Sequence, residues 1–142
     1  MGATVEMKVA SVGVIQGTNG TVVVLREAAG TRLLVIGIGA LEASSIAMEL
    51  EGIKPPRPMT HDLLHNILGR LGMKVSRILI SDLKDETFYA LLTLDTGRGE
   101  LEIDSRPSDA MALALRARAP IYCAEQVLEA AGISDEGDAV LH

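Results

Sequence analysis

The sequence predicts an α+β domain in which two antiparallel β-meanders form a curled mixed sheet with three to four packed helices. Two sets of β-branched segments, each joined by short polar turns, occupy residues 7–36 and 75–104. Short connections of this kind favour antiparallel pairing. Between and after these sets, apolar residues recur at helical spacing. A chain of 142 residues, 48% of them apolar, is long enough to bury one core.

The first meander is predicted from three apolar, β-branched segments at residues 7–16, 21–26 and 31–36, which glycine-containing turns separate. A helix follows over residues 40–50, because its apolar residues share one face. Residues 52–59 contain three prolines and cannot form a helix or a central strand. A second helix is predicted over residues 61–71, and its apolar side chains are expected to face the core: Leu64, Ile67, Leu68 and Leu71.

The second meander is predicted from residues 75–83, 87–94 and 100–104. A helix then starts at Pro107, since proline fits the first helical position. Residues 110–115 are all apolar, so this helix is apolar on every side and should be buried. A strand at 119–123 and a helix at 125–131 complete a single domain over residues 1–132. Residues 133–142 are predicted to be an acidic C-terminal tail.

The charge and aromatic content restrict the partners that we expect. The net charge is −6 and aromatic residues make up 2% of the chain. Affinity for phosphate comes mainly from Lys and Arg, so a role with nucleic acid needs a local basic cluster or a bound cation. No apolar run approaches the roughly 18 residues of a membrane span, and no signal peptide is evident. We therefore expect a cytoplasmic protein without membrane contact.

A first cluster of polar residues lies where the proline-rich loop meets the second helix. Arg57 is held on the stiff loop, and His61 and Asp62 follow at the start of the helix. Histidine can act as a general acid or base near neutral pH, and a helix N-terminus attracts phosphate. The alternative is structural: Asp62 complements the helix dipole while His61 packs locally.

A second cluster surrounds the start of the buried helix. Asp104 and Asp109 could hold Mg²⁺ or Mn²⁺, which prefer oxygen ligands. Arg106 could bind a phosphate through two parallel hydrogen bonds, and Ser108 lies beside it. A divalent ion would also bridge an acidic site to an anionic substrate. The alternative is helix capping combined with an internal Arg–Asp pair.

Three separated motifs resemble the bifunctional nuclease family. They are Ser-Arg-Pro-Ser-Asp-Ala-Met-Ala-Leu-Ala-Leu-Arg from Ser105, followed by Ala-Pro-Ile-Tyr; Ile-Gly-Ala-Leu-Glu-Ala from Ile38; and Pro-Arg-Pro-Met-Thr-His-Asp from Pro56. The resemblance implies DNase and RNase activity. The candidate site residues that fall in the shared motifs or directly beside them are Glu42, Arg57, His61, Asp62, Asp104, Arg106, Ser108 and Asp109.

The first hypothesis is a nuclease that hydrolyses phosphodiester bonds in DNA and RNA with the help of Mg²⁺ or Mn²⁺. The expected catalytic residues are His61, Asp62, Asp104 and Asp109. Arg57, Arg106 and Ser108 are the expected phosphate-binding residues, and the metal ligands are Asp104 and Asp109 with Glu42. This hypothesis requires the two clusters to face one cleft.

Two other functions are compatible with the same residues. One is a non-catalytic binding or regulatory module that forms homo-oligomers, which the acidic charge and the scarce aromatic residues favour. The other is hydrolysis of a small phosphate ester in a pocket too narrow for a nucleic-acid strand. Cleavage assays distinguish the binding module from the nuclease, and the width of the pocket distinguishes the hydrolase of small phosphate esters from the nuclease.

Overall fold

The computed structural model describes residues 2–134, which form eight strands and four helices. The strands are β1 (Thr4–Val14), β2 (Thr21–Glu27), β3 (Arg32–Ile38), β4 (Lys74–Lys84), β5 (Thr87–Asp95), β6 (Glu100–Ser105), β7 (Ile121–Ala124) and β8 (Ile133–Ser134). The helices are α1 (Ala40–Glu51), α2 (Thr60–Arg70), α3 (Pro107–Ala117) and α4 (Glu125–Ala131).

All eight strands belong to one mixed sheet in the order β6-β5-β4-β7-β1-β2-β3-β8. The two predicted meanders are present, since β1, β2 and β3 pair antiparallel in sequence, as do β4, β5 and β6. Strand β7 joins them, because it pairs parallel with β4 and antiparallel with β1. The predicted α+β class is therefore confirmed.

The sheet curls around α4. This helix contacts both β3 and β4, although β7, β1 and β2 lie between those two strands in the sheet. Val127 and Leu128 of α4 are buried, and they belong to the same apolar cluster as Leu34 of β3 and Ile80 of β4. The sheet remains open, with β6 and β8 as its two edges.

Helix α3 is buried as the sequence predicted. Arg106 is its N-cap residue, Pro107 takes the first helical position, and every residue from Ala110 to Ala114 is buried. The helix packs against α1, α2, β4 and β5. Because its middle is closed off on most sides, its polar side chains concentrate at its ends.

Helix α2 differs from the prediction. Only Leu68 of the predicted core face packs against the core, whereas Leu64, Ile67 and Leu71 are 41%, 45% and 64% exposed. The helix packs mainly on α3 rather than on the sheet. Its buried residue is His61, so this helix attaches through a polar side chain and presents an apolar face outward.

The first two residues of the predicted C-terminal tail form a strand. Ile133 and Ser134 form β8 and pair with Leu33 and Arg32 of β3. The remainder of the predicted tail, residues 135–142, lies outside the described residues. No helix among residues 2–134 has the length and apolar character needed to cross a membrane. Cys123 of β7 is buried, and burial raises the pKa of its thiol to about 12.

The β4–β5 hairpin offers a direct test of backbone strain. Asp85 and Glu86 form its two-residue turn with φ of 50° and 61°. Two positive φ angles are typical of a type I′ turn, in which glycine is favoured at the second position. We expect Glu86→Gly to raise the free energy of unfolding by about 0.5–1 kcal/mol, measured by urea denaturation. Thr87→Gly, in the extended strand beside the turn, should lower it, and stabilisation by both substitutions would contradict the explanation.

Candidate functional site

Helices α1, α2 and α3 are joined by a short line of hydrogen bonds through His61. The Nδ1 atom of His61 lies 2.7 Å from Ser45 Oγ on α1. The Nε2 atom lies 2.9 Å from Asp109 Oδ1 on α3. Ser45 and His61 are each 7% exposed. His61 therefore links all three helices from a buried position.

Both ring nitrogens of His61 are engaged. A carboxylate only accepts hydrogen bonds, so Nε2 carries a proton and donates it to Asp109. In the neutral ring, Nδ1 accepts a hydrogen bond from the Ser45 hydroxyl. The predicted role of His61 as a general acid or base requires a nitrogen that reaches the substrate, and in this arrangement neither nitrogen is free to do so.

The line continues from Asp109 to Arg106 at the start of α3. Arg106 Nε donates to Asp109 Oδ2 over 2.9 Å, and an Nη2 group donates to Glu42 Oε2 of α1 over 3.4 Å. The hydrogen bond with Asp109 raises the pKa of the Arg106 guanidinium. The Arg106 side chain is nevertheless 65% exposed. The site thus presents a permanently charged guanidinium whose direction is set by two carboxylates.

Asp62 fixes α2 onto α3. Its Oδ1 accepts a 2.8 Å hydrogen bond from Arg116 Nε, and its Oδ2 accepts one from the Met59 backbone N–H. The Arg116 side chain is 6% exposed and also donates to the Ala112 carbonyl. Burial works to raise the pKa of the Asp62 carboxyl, but these hydrogen bonds and the Arg116 charge lower it overall. Asp62 thus connects α2 to α3, and its predicted catalytic role stays a prediction.

A cavity of about 680 Å³ opens where the N-termini of α1 and α3 meet. Arg106 and Ser108 line it, together with Gly39 and Ala40 from the start of α1. Strand β3 and the tips of the β1–β2 and β4–β5 hairpins supply the other walls. Two of the three residues predicted to bind phosphate therefore meet at one cavity, beside two helix N-termini that attract anions.

Arg57 and Asp104 lie apart from this group. Arg57 is exposed on the proline-rich loop and does not line the cavity. Asp104 is exposed on β6 opposite Leu91, whereas Ser105 lies opposite the buried Ala90. Successive side chains of a strand point to opposite faces, so Asp104 points away from the face on which α3 packs. The structure does not bring all the predicted site residues into one cleft.

The predicted metal ligands do not form a shared ion site. Residues 2–134 contain no group of three or more His, Cys, Asp or Glu side chains placed to hold a metal ion. Both oxygens of Asp109 already accept hydrogen bonds, and Glu42 faces Arg106. Asp104 lies on the other face of the sheet. A requirement for Mg²⁺ or Mn²⁺ stays a prediction, and this set of three carboxylates does not fit it.

Ser45 and Arg116 were not among the predicted site residues. A cation near the end of a helix already suits the helix dipole, but in the structure Arg116 is the partner of Asp62. Ser45 lies between the buried Ala43 and Ile46 on α1. A polar residue within an apolar helical face needs a buried hydrogen-bond partner, and that signal could have identified it.

Comparison with known proteins gives the family. Residues 23–136 match the bifunctional nuclease domain. The chain is 45% identical over 135 residues to an uncharacterized protein of Mycobacterium tuberculosis, covering 94% of this chain and 80% of that protein. It is 31% identical over 104 residues to bifunctional nuclease 1 of Oryza sativa subsp. indica, covering 70% of this chain and 31% of the rice protein. The chain therefore belongs to the bifunctional nuclease domain family.

Proposed function

We propose that the protein is a nuclease that hydrolyses phosphodiester bonds in DNA and RNA. The observation that carries this proposal is the Arg106 guanidinium, which is exposed, oriented by Asp109 and Glu42, and placed at a cavity with Ser108. Arginine is well suited to phosphate because its planar fork can bind two oxygens at once. Family membership and the name of the rice relative support the same activity.

In this proposal Arg106 binds the phosphate and stabilises the negative charge that develops during cleavage. Its Nε and Nη2 atoms contact the carboxylates of Asp109 and Glu42, and Nη1 forms no hydrogen bond within residues 2–134. Nη1 is therefore available for a substrate oxygen. Ser108 lines the same cavity and adds a hydroxyl donor. The proposal includes assistance by Mg²⁺ or Mn²⁺, which the cleavage assay below tests.

His61 acts in this proposal as a positioning residue. It holds Asp109 from one side while Arg106 is bound to the other carboxylate oxygen. Loss of the imidazole would allow Asp109, and with it Arg106, to adopt other directions. The effect of His61 on cleavage would then pass through Arg106 and not through proton transfer.

The test is cleavage of single-stranded DNA and RNA by purified protein, with Mg²⁺, Mn²⁺ or EDTA present. We expect the wild type to cleave both substrates and His61→Asn to lower kcat/KM about tenfold, with the residual activity keeping the pH dependence of the wild type. A general base would behave differently, because its loss typically lowers the rate 10²- to 10⁴-fold and removes one limb of the pH profile. Thermal melting establishes that each variant is folded.

His65→Ala is the matched control, because His65 lies one turn further along α2 and outside the line of hydrogen bonds. It should retain the wild-type rate. Equal activity in the wild type and in Arg106→Ala, which removes the guanidinium, would contradict the role of Arg106 in cleavage. Absence of cleavage under every metal condition would overturn the proposed function.

The second candidate function is a non-catalytic binding module that forms homo-oligomers. Two observations favour it: His61 has both nitrogens occupied, and α2 exposes Leu63, Leu64, Ile67 and Leu71. An exposed apolar face of this kind often marks a protein interface. A protein that is oligomeric by light scattering, dissociates on Ile67→Glu and never cleaves nucleic acid would favour this function over the nuclease.

A further inference from the structure

The cavity at the starts of α1 and α3 has two helix N-termini without side-chain caps. Neither Gly39 nor Arg106, the two N-cap residues, makes a side-chain capping hydrogen bond. The first intrahelical bonds are made by the N–H groups of Ala43 and Ala110. The N–H groups before them are the ones that a helix leaves without internal partners. Two partial positive charges therefore lie at the edge of the same cavity.

Ser108 provides an independent sign of a ligand. It is 5% exposed, lines the cavity, and its hydroxyl forms no hydrogen bond within residues 2–134. No side-chain N or O atom within residues 2–134 is both buried and without a partner, so the unpaired Ser108 hydroxyl is accessible, and the residue lines this cavity. An accessible hydroxyl at a cavity between two helix N-termini is a donor for an anion that binds there.

The remaining walls of the cavity differ in character from this polar end. Ile36, Ile38 and Phe88 are apolar, and Gly37 lies between the two isoleucines. A volume of about 680 Å³ is in the range of small-molecule sites, which usually combine apolar walls with a few polar groups. Three carboxylates are near: Glu86 at the exposed rim, and Glu42 and Asp109, which both contact Arg106. A ligand with one anionic group and one apolar body fits this arrangement.

We propose that this cavity binds a nucleoside monophosphate. Its phosphate would lie at the N-termini of α1 and α3, accept a hydrogen bond from the Ser108 hydroxyl and pair with Arg106. Its nucleoside would lie against Phe88, Ile36 and Ile38. The choice of a nucleotide rests on the proposed function, because phosphodiester cleavage yields phosphate monoesters. The phosphate dianion matches two helix N-termini and a guanidinium better than a singly charged diester does.

The test is isothermal titration calorimetry in EDTA with three probes: AMP, inorganic phosphate and adenosine. We expect AMP to bind, inorganic phosphate to bind more weakly and adenosine not to bind. Ser108→Ala should raise the Kd for AMP about tenfold, since the loss of a hydrogen bond to a charged group typically has an effect of that size. Ser44→Ala is the matched control, because Ser44 is an exposed serine of α1 that does not line the cavity. This variant should bind AMP with the affinity of the wild type.

A second variant fills the cavity. Gly37 lines it, and an added Cβ would meet no atom within 4 Å, so Gly37→Leu should fold and abolish AMP binding. Failure of the wild type to bind AMP would overturn the proposal, as would unchanged affinity in folded Gly37→Leu. Inorganic phosphate that binds as tightly as AMP would overturn the nucleoside part. Cleavage without AMP binding contradicts this inference alone, whereas AMP binding without cleavage supports it and contradicts the nuclease.

Discussion

Asp62→Ala is expected to lower the free energy of unfolding by about 3 kcal/mol, close to 10 °C in Tm for a chain of this size. The Arg116 side chain is 6% exposed and its Nε donates to Asp62. Removal of the carboxylate leaves a buried charge without its partner, which is among the most destabilising single changes known. The same change removes the acceptor of the Met59 N–H at the start of α2. Urea denaturation at pH 7 measures the loss.

The matched control is Asp104→Asn, which removes the same charge from an exposed position on β6 and should change stability by less than about 0.5 kcal/mol.

The effect of Asp62 on stability should also depend on pH. Its carboxyl has a lowered pKa in the folded state, so its contribution is present above the unfolded value of about 3.9. That contribution is lost as the pH falls through the folded pKa. A difference in stability between wild type and Asp62→Ala that is the same at pH 7 and pH 2 would contradict the role of the ion pair.

The two meanders could be predicted because their determinants are local. Short polar turns between β-branched segments favour hairpins, and every such segment became a strand at nearly the expected residues. The pairing of β7 between β4 and β1 could not be read in the same way. It brings together strands that are far apart in the sequence, and a four-residue apolar segment can pair with many neighbours.

Helix α2 shows where a pattern is insufficient. Its apolar residues do lie at helical spacing, which predicted a face against the core. A periodic pattern identifies a face, but it does not identify what covers that face. In the structure, the contacts of His61 and Asp62 with Asp109 and Arg116 hold the helix on α3, so the opposite, apolar face remains exposed.

Within the candidate site, the short-range contact could be predicted from the sequence and the long-range contacts could not. The pair between Arg106 and Asp109 spans three positions and was among the alternatives considered. The contacts of His61 with Asp109 and of Asp62 with Arg116 span 48 and 54 positions, and no local rule predicts them. Asp104 and Asp109 are only five positions apart, and this proximity suggested that they share a metal ion. The alternation of side chains along β6 points Asp104 away from α3, which carries Asp109.

Arg106→Ala is expected to lower kcat/KM for cleavage of single-stranded DNA and RNA about a hundredfold to a thousandfold. Preorganised donors that stabilise charge in a transition state typically have effects of this size. The guanidinium is directed by Asp109 and Glu42 before any substrate binds, so little reorganisation is needed when phosphate arrives. Because the side chain is 65% exposed, its removal should alter Tm only slightly, and the loss of activity can be assigned to chemistry.

Two further variants show whether the geometry of Arg106 matters beyond its charge. Arg98→Ala removes a cation from the exposed β5–β6 turn and should leave cleavage unchanged. Arg106→Lys keeps the charge but loses the planar fork, so it cannot contact Asp109, Glu42 and a phosphate together. We expect it to recover no more than about a tenth of the wild-type rate. Full activity in Arg106→Lys would mean that only the charge is needed, and an active Arg106→Ala would place the chemistry elsewhere on the chain, because no other cation lines this cavity within residues 2–134.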